Sequence, residues 1–255
     1  MGLFLGLRWL SFAADRSEAR WLLFLAVRGE RGGPRGAPVR SGGWWRPVQS
    51  VERPAGGGED RAMDYVVRGV RADEWQRARH LRLDALRDPA APVAFLESYE
   101  DAAARPDVFW QGRTADAAED GPGRVRQFVA ESPEGDWVGT VTVLVESPDD
   151  EVRFGAAVAV DQAHLVGVFV RPEVRGTGVT DALFREAVDW AWALSAPSME
   201  RVRLYVHEKN PRAAAFYRKF GFAPSGRRIA APGDRGEQEL EYVLGREGQG
   251  EAGEV

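Results

Sequence analysis

Residues 165–193 read LVGVFVRPEVRGTGVTDALFREAVDWAWA, and the rest of the chain is organised around them. The run Leu165–Val170 is short, rich in β-branched residues and bounded by Pro172, which predicts a strand buried on both faces. Arg175-Gly176-Thr177-Gly178 follows it. Glycine lacks the Cβ that would hold a ligand away from the backbone. Beyond the turn, Leu183, Ala187, Trp190, Ala191 and Leu194 recur at the helical period, with Asp181, Arg185, Glu186 and Asp189 between them. A helix that begins there aims unpaired N–H groups and the positive end of its dipole at the turn. Strand, glycine turn and helix together make an anion site suited to a phosphate. The plain alternative is a tight bend that binds nothing. The spacing does not match the P-loop pattern G-x-x-x-x-G-K-S/T, and the third glycine of a Rossmann fingerprint is missing.

Composition narrows the classes. The chain has 255 residues, no cysteine and three histidines, His80, His164 and His207. A disulfide framework, a thiolate nucleophile and a thiolate metal site are therefore excluded, and no metal is expected. Residues 1–62 carry 10 Arg against 6 acidic residues, net +4, and residues 63–255 hold 24 basic against 33 acidic, net −9. Only Lys209 and Lys219 are lysine, so the arginine count reflects coding bias and carries no nucleic-acid inference. The acidic main portion disfavours a phosphate backbone and mildly favours a cationic small substrate. The apolar patches near the start, Leu3–Leu10 and Trp21–Val27, are shorter than the about 18 residues a membrane span requires. The expectation is a cytoplasmic protein with neither a nucleic-acid partner nor a membrane segment.

Three stretches are distinguished by composition. Residues 1–62 contain a Gly-, Pro- and Arg-dense tract that cannot bury a core, and they are expected to be a disordered extension. Residues 64–246 read as one α/β domain, and 247–255 as a polar tail. Within the domain the expected order is a strand over Tyr65–Val70 and a helix over Asp73–Leu86. A second helix over Val93–Ala104 follows, then a polar loop over Asp116–Gly123 and a hairpin of Val125–Glu131 with Trp137–Glu146. A further strand is expected over Ala156–Val160. After the central unit come a strand over Arg201–His207 and a helix with Asn210 at its N-cap, Pro211 at its first position and Gly221 at its stop. A closing hairpin of Gly226–Ala230 and Gln238–Leu244 turns around Pro232-Gly233-Asp234.

Val170-Arg171-Pro172-Glu173-Val174-Arg175-Gly176-Thr177-Gly178 resembles the V-x-P-x-x-R-G-x-G signature of the GNAT superfamily of acetyl-coenzyme A-dependent N-acetyltransferases. Downstream, NPRAAAFYRKFGF at 210–222 is similar to that family's N-x-x-A-x-x-F-Y-x-x-x-G-F segment. The resemblance covers residues 64 to about 246 and implies a mixed, mainly antiparallel sheet with flanking helices, the acyl-coenzyme A N-acyltransferase fold. It implies that the pyrophosphate of acetyl-CoA sits on Arg175, Gly176, Thr177, Gly178, Val179 and Thr180. It also implies that the pantetheine arm lies along Val168 and Val170 like an added strand, with Asn210 in contact or only capping its helix. Glu173 stands where Gln or Arg is usual, and Thr180 where Gly or Ala is usual.

The implied activity is transfer of an acetyl group to a primary amine of a small molecule or peptide, with a homodimer left open. Such transfer needs a neutral amine, donors for the developing oxyanion and a proton for the leaving thiolate. Tyr217 is the candidate acid, since a phenol with a pKa of about 10 matches a thiolate. Packing in a helix-face core is its alternative role. The N–H of Val168 is the implied oxyanion donor. His164 is the leading candidate base, with His207 and Glu208 as competitors. A binding or sensing domain of the same fold, and an interaction domain whose turn binds nothing, are the rival readings.

Overall fold

A computed structural model describes residues 65–150, 154–231 and 236–246. The expectations for residues 1–62, for the Pro232–Asp234 turn and for the tail after 246 lie outside the described residues. Strand β1 (Val66–Gly69) and a 3-10 turn lead into α1 (Trp75–Arg87), α2 (Ala91–Ala94), α3 (Tyr99–Ala103) and α4 (Asp107–Ala117). The hairpin β2 (Val125–Glu131) and β3 (Trp137–Glu146) follows, and then β4 (Gln162–Val170), α5 (Val179–Ala193), β5 (Arg201–His207), α6 (Pro211–Phe220), β6 (Ala223–Ala230) and β7 (Gln238–Gly245). One seven-stranded sheet results, in the order β1-β2-β3-β4-β5-β7-β6. Every neighbouring pair is antiparallel except β4 and β5.

Strand alternation sorts the core onto two faces. Phe128, Ala130, Val141, Val143 and Leu165 pack with Leu183, Phe184 and Tyr217 from α5 and α6. Val129 and Phe169 point the other way and pack with Ala78, Leu81 and Ala85 of α1. All ten residues of β3 are buried, because helices cover both of its faces. At Gly139 an added Cβ would lie 3.0 Å from Leu183 Cδ1 and 3.1 Å from Phe169 O, so the missing side chain lets α5 seat closely on the sheet.

Three expectations need correction. Ala156–Val160 forms no strand: Ala156 donates its N–H to Tyr205 Oη at 2.9 Å and its carbonyl accepts from Arg203 at 3.1 Å, so its polar groups are claimed by side chains. The helix over Val93–Ala104 is two short helices, because the chain turns extended at Phe95 and restarts at Ser98, whose hydroxyl accepts from Asp101 N at 3.1 Å. Residues 107–117 form a helix that sequence reading missed and that takes in the start of the expected loop. Gly112 and many polar residues mask its pattern, yet Trp110, Thr114 and Ala117 are buried at helical spacing.

Two features of β4 open the sheet. Pairing with β5 covers only Gln162, Ala163 and His164, opposite Arg201, Val202 and Arg203, and stops there. On the other side the register with β3 jumps from Thr142↔Val166 to Thr140↔Phe169, so β4 carries one extra residue. That β-bulge contains Gly167, whose φ of +63° lies in the left-handed region that glycine tolerates. Beyond His164 the β5-side edge of β4 is unpaired.

Candidate active site

The expected turn has the geometry of an anion cradle. Gly176 and Gly178 have φ of +88° and +93°, and no atom lies within 4 Å of where a Cβ would stand on either. Gly178 is the N-cap of α5 and offers no side chain to its first turn. Thr177 N–H is turned back to Val174 O, and among the described residues the N–H groups of Gly176, Gly178, Val179 and Thr180 have no acceptor. Four donors and a helix dipole therefore converge on exposed backbone.

Next to this turn is a cleft with about 150 Å³ of room for solvent, walled by Asp88, Ala91 and Phe95 on one side and by Val168, Val170, Arg175, Thr180 and Asn210 on the other. The structure thus brings most of the expected coenzyme-contacting residues around one space. Val168 sits in the bulge and has no register partner on β3. Asn210 is the N-cap of α6, its side chain accepting from Ala213 N at 3.2 Å, and it also faces the cleft.

The guanidinium of Arg175 is directed inward. Its Nε donates to Val170 O at 2.9 Å and its other end pairs with Asp88, which is 5% exposed. Arg171, one turn earlier, donates to Trp137 O at 2.9 Å and to Asp84 at 2.6 Å. Two arginines four residues apart thus meet Asp84 in the last turn of α1 and Asp88 at its C-cap, and fix the exit of β4 to the end of that helix. Sequence reading missed Asp84 and Asp88; matched i,i+4 spacings of opposite charge were the available signal.

Tyr217 projects from α6 into the aromatic cluster of Phe184, Phe222 and Tyr242. It is 8% exposed, and its hydroxyl makes no hydrogen bond among the described residues. Burial, with the Glu239 carboxylate adding to it, pushes the phenol above its ordinary pKa. The free protein therefore holds this group protonated.

The candidate bases are placed differently from one another. His164 is 1% exposed, pairs with β5 before the open edge begins, and holds Glu146 Oε1 at 2.9 Å through Nδ1. Burial pushes Glu146 up, but His164, Arg203 and Gln162 together bring it below the usual carboxylate value. His207 Nδ1 accepts from Lys209 N at 3.1 Å, so its lone pair is engaged, and Nε2 faces Glu237 at 3.1 Å. Glu208 is exposed and accepts from Gln238 N at 3.1 Å.

A model of the acetyltransferase (GNAT) family matches residues 75–222, more than half of the chain. The chain belongs to that family. Among curated relatives, a Bacillus subtilis protein provisionally named a ribosomal protein bS18-alanine N-acetyltransferase is 34% identical over 86 residues, covering 34% of this chain and 55% of the relative. The peptidyl-lysine N-acetyltransferase YjaB of Escherichia coli is 32% identical over 103 residues, covering 40% of this chain and 58% of the relative. The chain thus spans little more than half the length of these relatives. A GCN5-related N-acetyltransferase from Kribbella flavida superposes with a TM-score of 0.51 at 19% identity, covering 71% of this chain and 98% of that one. Arabidopsis thaliana NAA60, solved in complex with acetyl-CoA, superposes with a TM-score of 0.50 at 17% identity over 71% of this chain and 98% of that one. These two likenesses bear on the fold.

Proposed function

We propose that the protein transfers the acetyl group of acetyl-CoA directly to a primary amine carried by a small molecule or peptide. The observation that carries the reading is the unpaired edge of β4 beyond His164, which runs straight into the free N–H groups of Gly176, Gly178, Val179 and Thr180. An extended amide-bearing arm can pair with such an edge as an added strand while its pyrophosphate rests on the turn. The residues present therefore fit acetyl-CoA, which supplies an activated acyl thioester. Their own work is to bind and orient: the turn holds the anion, Arg175 and Arg171 hold the strand exit, and the bulged N–H of Val168 is the donor for charge developing on the carbonyl oxygen. Tyr217, protonated and without a partner, gives its proton to the departing thiolate.

The amine approaches between α2 with Phe95 and the ends of β5 and β7. The relatives' names support an amine acceptor: one acts on peptidyl lysine, and the other is named for an alanine of a ribosomal protein. The test is calorimetric titration with coenzyme A, followed by thiol release from acetyl-CoA with spermidine, kanamycin and a lysine-containing peptide. Binding with release supports the proposal. Binding without release on a broadened amine panel would make the chain a coenzyme-binding domain, and no binding would refute both readings.

A further inference from the structure

Glu239 is 8% exposed, and among the described residues its carboxylate has neither a hydrogen bond nor an ion pair. Such a group is costly and is usually paired when it has only a structural role. Register places it beside the end of β5, on the far side of the gap that opens beyond the His164↔Arg203 pair. Glu239 is the direct antiparallel partner of His207. Asn210, which faces the cleft, donates its N–H to His207 O at 2.8 Å, so this end of β5 abuts the same space. From α6, the Tyr217 phenol is near enough for the Glu239 carboxylate to add to the rise in its pKa.

We propose that Glu239 is the general base of acetyl transfer, taking the proton of the acceptor's ammonium group at the β5 end of the cleft while Tyr217 serves the leaving sulfur. The proposal rests on the transfer reading above. In the balanced step the ammonium N–H bond breaks toward a Glu239 oxygen, the freed lone pair forms the N–C bond to the thioester carbonyl, and the C–S bond breaks. Sulfur takes the phenolic proton of Tyr217, which is restored by the second proton leaving nitrogen, and Glu239 returns its own proton to solvent. The products are an acetamide, free thiol and one proton.

The groups that surround Glu239 leave this role to it. On β5, His207 is engaged by Lys209 N and Glu237, and Tyr205 Oη donates to Glu241 at 3.1 Å. On its own strand Glu237 is paired with Lys209, and Glu241 accepts from Ser225 at 2.6 Å. On β6, Arg228 donates to Gln238 at 3.2 Å and Arg227 is exposed. Among the described residues, the Tyr217 hydroxyl shares the carboxylate's lack of a partner. Burial without a partner pushes Glu239 up to about 7, which suits a group that must accept a proton and release it again near neutrality.

The test compares wild type, Glu239→Gln and Glu239→Asp. With glutamate side chains labelled at the carboxyl carbon, one NMR signal is expected to titrate near pH 7 and to be lost in Glu239→Gln. The Gln variant should bind coenzyme A within about twofold of wild type and transfer at least about 100-fold more slowly at pH 7. That deficit should shrink toward pH 10, where the amine loses its proton unaided, and Glu239→Asp should recover part of the rate. A deficit equal at every pH, or a rate within about threefold of wild type, would overturn the assignment. Should wild type transfer to none of the amines, the transfer reading fails separately. The carboxyl signal then decides alone: a titration near 7 displaced by added spermidine supports an amine-facing base, and its absence overturns it.

Discussion

Replacing Glu239 with Gln keeps the side chain's shape and removes its charge, so the variant isolates the cost of ionising this carboxylate inside the fold. Burial raises the group from 4.5 to about 7. Between those values the native state holds more protons than the unfolded chain, so wild-type stability falls as pH rises across that window. A difference of about 2.5 units at about 1.36 kcal/mol each corresponds to about 3 kcal/mol, absent below pH 4.5 and nearly complete by pH 8. The carboxylate oxygens still reach water, which screens part of this cost, so about 3 kcal/mol is its upper bound. Urea unfolding at fixed ionic strength should therefore find the Gln variant close to wild type at pH 4.5 and more stable by about 1–3 kcal/mol at pH 8. Other titrating groups are common to both proteins and cancel. A difference that stays constant between pH 4.5 and pH 8 would refute the reasoning, since it would mean that Glu239 ionises as freely folded as unfolded.

Tyr217→Phe retains ring and packing and should lower kcat about ten- to a thousandfold with coenzyme affinity unchanged; single-turnover transfer at the wild-type rate would take Tyr217 out of the mechanism. Gly178→Ala forces a Cβ onto a φ of +93° with no steric neighbour, so it should cost about 1–2 kcal/mol of strain and weaken coenzyme A binding, read together by thermal melting and calorimetry. Arg203→Met leaves Glu146 and Glu241 without the cation they share at 2.7 and 3.3 Å, and should destabilise by about 3–5 kcal/mol in urea unfolding. A chain beginning at Met63 should keep cooperative melting and coenzyme A binding, because the sheet and the cleft are built from residues after it.

The sequence made some parts legible because their physics is local. Arg201–His207 is a strand with the expected ends, and the helix from Pro211 has Asn210 at its N-cap and Gly221 at its stop, with a φ of +118°. The glycine turn was legible for the same reason, since glycine at left-handed φ and a helix start are both written within a few residues. What escaped depends on contacts distant along the chain. No local signal marks Glu239 and Glu241 as buried; they are so because β7 lies between β5 and β6. His164 reads as a group with a free lone pair, yet its Nδ1 meets Glu146, eighteen residues earlier on the neighbouring strand. A lone Gly167 inside an apolar strand did carry the local sign of a bulge.

The same residues explain why the sheet splits where it does. At the closed end, Arg201 Nε donates to Gln162 Oε1 at 2.7 Å, and Glu146 receives His164 at 2.9 Å and Arg203 at 2.7 Å, so side chains from β3, β4 and β5 are tied across the parallel pair. Three residues later Gly167 introduces the bulge and re-aims β4. At the far end Arg171 and Arg175 bind the strand exit to Asp84 of α1 and to Asp88 at its C-cap, away from β5. β4 is therefore pinned to β5 at one end and to a helix at the other, and the gap between them is held by charge pairs at both ends. The buried position of His164 accords with this: it ties the closed end, and in the proposed mechanism the proton chemistry belongs to Tyr217 and Glu239 instead.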